Sequence, residues 1–423
     1  MDLPPRIGKY EPLIRLASGG MASLYIARHA GAGGFERLVA IKRVHRHLLG
    51  NREFCDMFLD EARISSLIRH ANVVPVIDIA EADGELFLVL EYVESLSLAQ
   101  LLAAAQAADE LLPPPVVSRI MSDALAGLHA AHEALDMRGA SLHVVHRDVS
   151  PHNILVDTHG MSSIIDFGIA KAASRLATTN SGQFKGKVRY MAPEQVKQQP
   201  VDRRADVFSA GVVLYEALTG RGLFRGVDEG DTVLSVLVTK IPDPSSIAPG
   251  VSEQLDAVAR QALERRRDSR FSTAARFREA LEEACPPAAT DEVAAIVARL
   301  GGEVLARRRE ELQVALARPS PSSAVRRGGH RRALALVFFG SACAFAAAAT
   351  VQVRHLRAMT SHPAAMPPAS SASPAPLPSV EARVRDPSDT AISRPVPRPR
   401  TPLAAPPPSG SGGLHRRNPY ATP

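Results

Sequence analysis

Two aspartates and an asparagine interrupt otherwise apolar sequence. Asp148 and Asn153 lie in HVVHRDVSPHNILVD (143–157), and Asp166 lies in SSIIDFGIA (162–170). A carboxylate buried without a partner is costly, so roles as idle loop caps or surface charges fit these surroundings poorly. Carboxylate and amide oxygens suit a hard cation such as Mg2+, which takes its remaining ligands from phosphate and water. Upstream, Lys42 ends the apolar run VAIK (39–42), and the glycine-bearing segment SGGMAS (18–23) precedes it. A lysine between a strand and a polar loop is usually a solvated charge. Here the order of the segments points to the handling of a phosphate, a metal and an acceptor group.

These residues need elements to hold them. Lys9–Ala17, Leu24–Arg28 and Leu38–Val44 read as short β segments separated by polar and glycine breaks. A helix is predicted over 52–68, where Phe54, Met57, Phe58, Ile64 and Leu67 recur at helical spacing. Val73–Ala80 and Leu86–Tyr92 flank Asp83-Gly84, a hairpin turn. From Val116 onward the pattern is helical. The fold class is therefore α+β and bilobal: a small antiparallel β lobe (about 8–92) and a larger helical lobe (about 97–284), joined near Glu91–Ser97. The crevice between the lobes is the expected nucleotide site.

In content, order and spacing, VAIK (39–42), HRDVSPHN (146–153), DFG (166–168) and APE (192–194) resemble the signature of protein kinases, most closely the bacterial kinases of the eukaryotic Ser/Thr type. The resemblance covers roughly Ile7–Glu283. It implies ATP with Mg2+ (or Mn2+) and protein substrates. Lys42 would neutralise the phosphates, held by Glu61 of FLDEARI; Asp148 would be the catalytic base; Asn153 and Asp166 would hold metal. His146 would pack on the DFG segment, Asp206 would brace the catalytic loop, and Glu194 would pair with Arg270. Arg147 is of the type that meets a phosphate on the activation loop, where Thr178, Thr179 and Ser181 are the regulatory candidates. Nucleotide contacts would come from Leu16, Ala17, Ser18, Gly19, Gly20, Ala22, Leu24, Ala40 and Leu155, from the backbone of Glu91, Tyr92 and Val93, and from Leu90 at the back.

The chain departs from this pattern in three places. The G-x-G-x-x-G frame falls on Ala17, Gly19 and Ala22, so only its middle glycine is kept, and slower nucleotide handling is expected. Ser150 stands where Ser/Thr kinases usually have a lysine reaching the γ-phosphate. Lys187 stands in place of the threonine that ties the substrate-binding loop to the catalytic aspartate, a gained cation that would offset the lost one. The competing reading is a pseudokinase that scaffolds a signal without efficient transfer, and the presence of Lys42, Glu61, Asp148, Asn153 and Asp166 speaks against it. A small-molecule phosphotransferase is disfavoured by APE and the long activation loop, which build a peptide-docking surface.

Beyond the catalytic region, 285–332 reads as a helical extension and basic linker, with one or two amphipathic helices over Thr290–Leu316 that would pack on the large lobe, join a membrane anchor or dimerise. Self-association would allow trans-autophosphorylation. Ala333–Val351 is 19 residues without a charge, about a bilayer's length, so 333–353 is expected to be a transmembrane helix in membrane lipid. The larger arginine cluster before it favours a cytoplasmic kinase domain at the inner membrane and an outer tail. From Ser361 to Pro423, 16 of 63 residues are proline, and 354–423 reads as a disordered tail. The net charge of +6 comes largely from the basic cluster and tail, with no zinc spacing and no basic-aromatic stripe, which excludes a nucleic-acid partner. Three scattered cysteines fit a reducing compartment, and the N-terminus carries no signal-peptide core.

Overall fold

The computed structural model describes residues 3–82, 84–167 and 187–318. Five strands form an antiparallel sheet in the order β1-β2-β3-β5-β4: β1 Tyr10–Ser18, β2 Ala22–Ala30, β3 Glu36–Val44, β4 Val76–Ala82 and β5 Glu85–Glu91. β2 and β3 extend beyond the segments expected from sequence because Ala, Arg and Glu positions continue the ladder, while β1 and β5 are offset by one residue. β4 starts at Val76, three residues later than expected, because Val73 bridges to Ile164 instead. Gly84 lies between β4 and β5 in the left-handed region (φ 68°), while Asp83, the other residue of the expected turn, lies outside the described residues. Period-two alternation divides β3 between two faces. Val39 and Ile41 enter a cluster with Tyr10, Tyr25, Phe87 and Val89, while Ala40 and Val44 face a second cluster. Lys42 shares that second face and pairs in register with Leu24 and Leu88.

Helix α1, Arg52–Leu67, covers this face. Asn51 caps it by accepting from the Phe54 N–H (3.0 Å), and Phe54, Phe58 and Ala62, spaced four apart, are buried against the sheet. A void of about 20 Å³ remains between α1, the sheet and Asp166–Phe167.

The second lobe begins with β6 (Ser95–Ser97), which joins β7 (Ile154–Asp157) and β8 (Ser162–Ile164) in a three-stranded sheet. Its helices longer than one turn are α2 (Leu98–Ala107), α3 (Pro114–His132), α4 (Arg204–Thr219), α5 (Glu229–Val238), α6 (Glu253–Ala262), α7 (Ala274–Ala284) and α8 (Thr290–Ala317). Helix α4 is apolar on nearly every side and forms the centre of the lobe; Gly220 ends it in the left-handed conformation (φ 64°).

Helix α8 is one continuous helix of 28 residues, despite Gly301-Gly302 in its middle. Gly301 is required by packing, since a Cβ there would lie 2.0 Å from Leu96 Cδ1. The helix runs from the large lobe to the small one. Val293 and Val297 are buried in the main core, Arg308 donates to Ser95 O (2.9 Å), and Arg309 grips Glu94 at 2.5 and 3.1 Å. Its last turns place Leu312 and Ala315 among Leu13 and Ile26 of the small lobe, with Leu16 and Tyr92 alongside. Of the open alternatives for this segment, packing on the catalytic domain is the one observed, and it reaches beyond the large lobe. Among the described residues no helix is long and apolar enough to cross a membrane; 333–353 and the 354–423 tail lie outside them.

Candidate active site

The catalytic loop hangs from one buried carboxylate. Asp206, in the first turn of α4, accepts the backbone N–H groups of His146 and Arg147 and a hydrogen bond from His132 Nε2, all at 2.8 Å. Burial alone would push its carboxyl up, but the hydrogen bond and charge of His132, with His146 and the Arg147 N–H, hold it below the ordinary 3.8. The grip fixes Arg147 at φ 65°, a conformation a non-glycine residue keeps only when its surroundings impose it.

His146 has both ring nitrogens engaged. Nε2 bonds Ile165 O at 3.0 Å, Nδ1 receives the Asp148 N–H at 3.3 Å, and the ring lies 4.7 Å from that of Phe167. The partners set the tautomer, with the proton on Nε2. The expected packing role of His146 is therefore observed, with no nitrogen left for proton transfer.

Asp148 and Asn153 are joined directly. The Asn153 amide donates to Asp148 O (2.8 Å) and Oδ2 (3.1 Å), which leaves its carbonyl oxygen as the atom that can meet a cation. Lys187 adds a second contact to the carboxylate, Nζ to Asp148 Oδ2 at 2.6 Å, while Ser150 is buried (3% exposed). His152 is held below its usual 6.5 by partial desolvation first, then by Arg189 and Lys187.

Lys42 meets Asp166 at 2.8 Å. Burial would raise the Asp166 carboxyl; the charge and hydrogen bond of Lys42, with Lys187 and His146 farther off, outweigh it and hold the group below 3.8. Asp166 also has positive φ (64°). Glu61 stands on α1 beside buried Ala62, but its side chain lies outside the described atoms, as do Thr178, Thr179 and Ser181. The lysine partner observed is thus Asp166.

The nucleotide candidates separate into two groups. Ala40, Val93 and Leu155 pack against the cluster that contains Leu90. Leu16 instead joins the cluster formed with the end of α8. The Glu91 N–H donates to Pro75 O (3.0 Å), so any purine contact from Glu91 is confined to its carbonyl. The expected turn between β1 and β2 is a tight hairpin, with Gly19 N donating to Ala22 O (3.0 Å) and Ser18 Oγ 3.0 Å from Ser23 Oγ. Ala17 and Ala22 lie in the strands, Ala17 opposite Leu24, where alanine is unstrained. Gly20 is exposed at the tip.

Three supports escaped the sequence reading. His132 completes the Asp206 cage, Asp123 accepts the Ser162 N–H (3.0 Å), and Gln195 donates to Arg147 O (3.0 Å). Each is a polar residue in helical or loop sequence, and only position relative to the HRD segment could have singled it out. The Glu194–Arg270 pair is present as expected, bidentate at 2.7 and 2.8 Å, and the remaining guanidinium donors meet the carbonyls of Arg204, Glu264 and Arg265.

The protein kinase domain model matches residues 10–283. The tyrosine-protein kinase MasK of Myxococcus xanthus is 41% identical over 283 residues, covering 66% of this chain and 44% of that protein. The serine/threonine-protein kinase PknH of Mycobacterium tuberculosis is 33% identical over 292 residues (69% and 44%), and PrkC of Bacillus subtilis is 32% identical over 267 (63% and 39%). The crystal structure of the M. tuberculosis PknI kinase domain matches with a TM-score of 0.51 and 25% identity, covering 67% of this chain and 100% of that one. The chain spans less than half the length of these curated relatives.

Proposed function

The chain belongs to the bacterial branch of the eukaryotic-like protein kinase family, and on that premise we propose that it transfers the γ-phosphoryl group of ATP to serine and threonine hydroxyls of proteins. The observation that carries the reading is the convergence of Asp148, Asn153, Asp166 and Lys42 at the interlobe cleft. Asp148 would orient the acceptor hydroxyl and take its proton. Lys42 would turn from Asp166 to the α- and β-phosphates.

The family implies ATP and a divalent cation. Asp166 and the Asn153 carbonyl oxygen fit Mg2+, and among the described residues no cluster of three His, Cys, Asp or Glu side chains offers an all-protein cage. Bound there, the ion supplies charge neutralisation at the phosphate oxygens.

Serine and threonine acceptors are favoured by the names of PknH and PrkC; the name of MasK favours tyrosine as the second reading. We further propose anchoring of the chain in the inner membrane through 333–353, with the kinase domain on the cytoplasmic side. Self-association would phosphorylate Thr178, Thr179 or Ser181, with Arg147 as the cation that receives the phosphate. Incubation of the full chain with labelled ATP and Mg2+, beside Asp166→Asn, tests the reading. Label on Ser or Thr in the parent alone is expected; label on Tyr moves the acceptor class, and label in neither protein overturns transfer.

A further inference from the structure

Resting on that reading, we propose that Lys187 is the γ-phosphate cation of this site, moved from the catalytic loop to the far end of the activation segment. Three observations meet here. Position 150, two residues beyond Asp148, holds an uncharged, buried serine. The Lys187 ammonium lies 2.6 Å from Asp148 Oδ2, on the same oxygen that Asn153 contacts at 3.1 Å. Its side chain is 58% exposed, and among the described residues Asp148 is its ion-pair partner.

Transfer needs a cation at this point. The acceptor oxygen forms the new P–O bond, the bond from the γ-phosphorus to the β,γ-bridging oxygen breaks, ADP leaves with that electron pair, and the acceptor proton passes to Asp148. Charge on the equatorial γ-oxygens must be neutralised meanwhile, and a positioned ammonium does this in the transition state. Among the described residues Lys187 is the lysine or arginine paired with Asp148. The backbone beside it is well placed for the task. The turn at Val188–Tyr190 is anchored by Tyr190 Oη donating to Glu216 Oε2 (2.7 Å), and Gln195 ties the following segment to Arg147 O.

The test compares the full-length parent with Lys187→Thr, Lys187→Arg and the double variant Lys187→Thr/Ser150→Lys, measuring kcat and both KM values on a generic basic protein. Lys187→Thr should lower kcat by roughly 10- to 100-fold, with KM for ATP changed by less than about threefold. Lys187→Arg should retain most of kcat, because the charge is kept. The double variant should recover part of the loss, provided its melting temperature shows that a lysine fits at position 150. A parent-like kcat in Lys187→Thr overturns the proposal. So does a loss confined to KM for the protein substrate, which would mark a docking latch. A loss equal in Lys187→Thr and Lys187→Arg overturns it as well. An inactive parent would instead remove the kinase reading itself.

Discussion

The two sides of the cleft are held by different physics. On the catalytic side, two buried charged groups are taken out of water and hydrogen-bonded on every side. Asp206 holds three donors, and Arg270 spends all its guanidinium N–H groups on Glu194 and three carbonyls. On the hinge side the supports lie at the surface: a helix laid over β6 and β1, and ion pairs that water reaches, such as Arg309–Glu94 with side chains 54% and 30% exposed. Buried networks fix one geometry because leaving any member unpaired is costly. Surface pairs allow adjustment. The chemistry is therefore held by buried polar pairing, and the hinge by a packed helix with exposed ion pairs along it.

The largest effects should come from opening the buried network. Arg270→Ala leaves Glu194 as a buried, unpaired charge and should cost about 3–5 kcal/mol in urea denaturation. Asp206→Asn turns one acceptor oxygen into a donor and should release the backbone amide of His146 or Arg147, lowering both stability and transfer.

The next test sharpens the contrast at the hinge through two neighbouring glycines. Helix propensity alone favours alanine over glycine at both. Gly301→Ala, however, drives a methyl into buried Leu96 and should destabilise by about 1–3 kcal/mol. Gly302 has nothing within 4 Å of its would-be Cβ, so Gly302→Ala should stabilise by about 0.5–1 kcal/mol. Thermal melts read both, and equal shifts of one sign would mean that α8 does not lie on β6. Gly301→Ala should also weaken binding of a fluorescent ATP analogue, because the end of α8 supports Leu16.

This contrast also explains what could be read from the chain alone. Asp148, Asn153 and Asp166 were legible because short apolar frames mark them and their order is specific. The Glu194–Arg270 pair was legible by the same pattern. His132 was not, since a histidine on an apolar helix face looks like any core residue. The path of α8 was not either: amphipathic spacing shows that a face is covered but not what covers it, and it left one helix or two open where Gly301 meets Leu96 within a single helix. The backbone role of Glu91 narrowed for a similar reason, because the Pro75 carbonyl that takes its N–H comes from a loop no pattern marks.

Smaller effects should follow from surface charge and pH. Arg309→Ala should change the melting temperature little, as expected of an exposed pair. His129 and His152 both lie below 6.5, in each case from partial desolvation first. Since the unfolded chain binds these protons more readily, their contribution is whole above about pH 6.5 and declines as pH falls through the lowered folded values. Melting temperatures should therefore fall on acidification below that point, and a rise there would contradict the assignment.

The most direct test of the division between holding nucleotide and performing transfer is Asp148→Asn, measured for both properties on one full-length sample. Its affinity for the ATP analogue with Mg2+ should match the parent, while transfer should fall by roughly 10²- to 10⁴-fold, the range a positioned base contributes. Parent-like transfer, or loss of nucleotide binding together with transfer, would contradict the account.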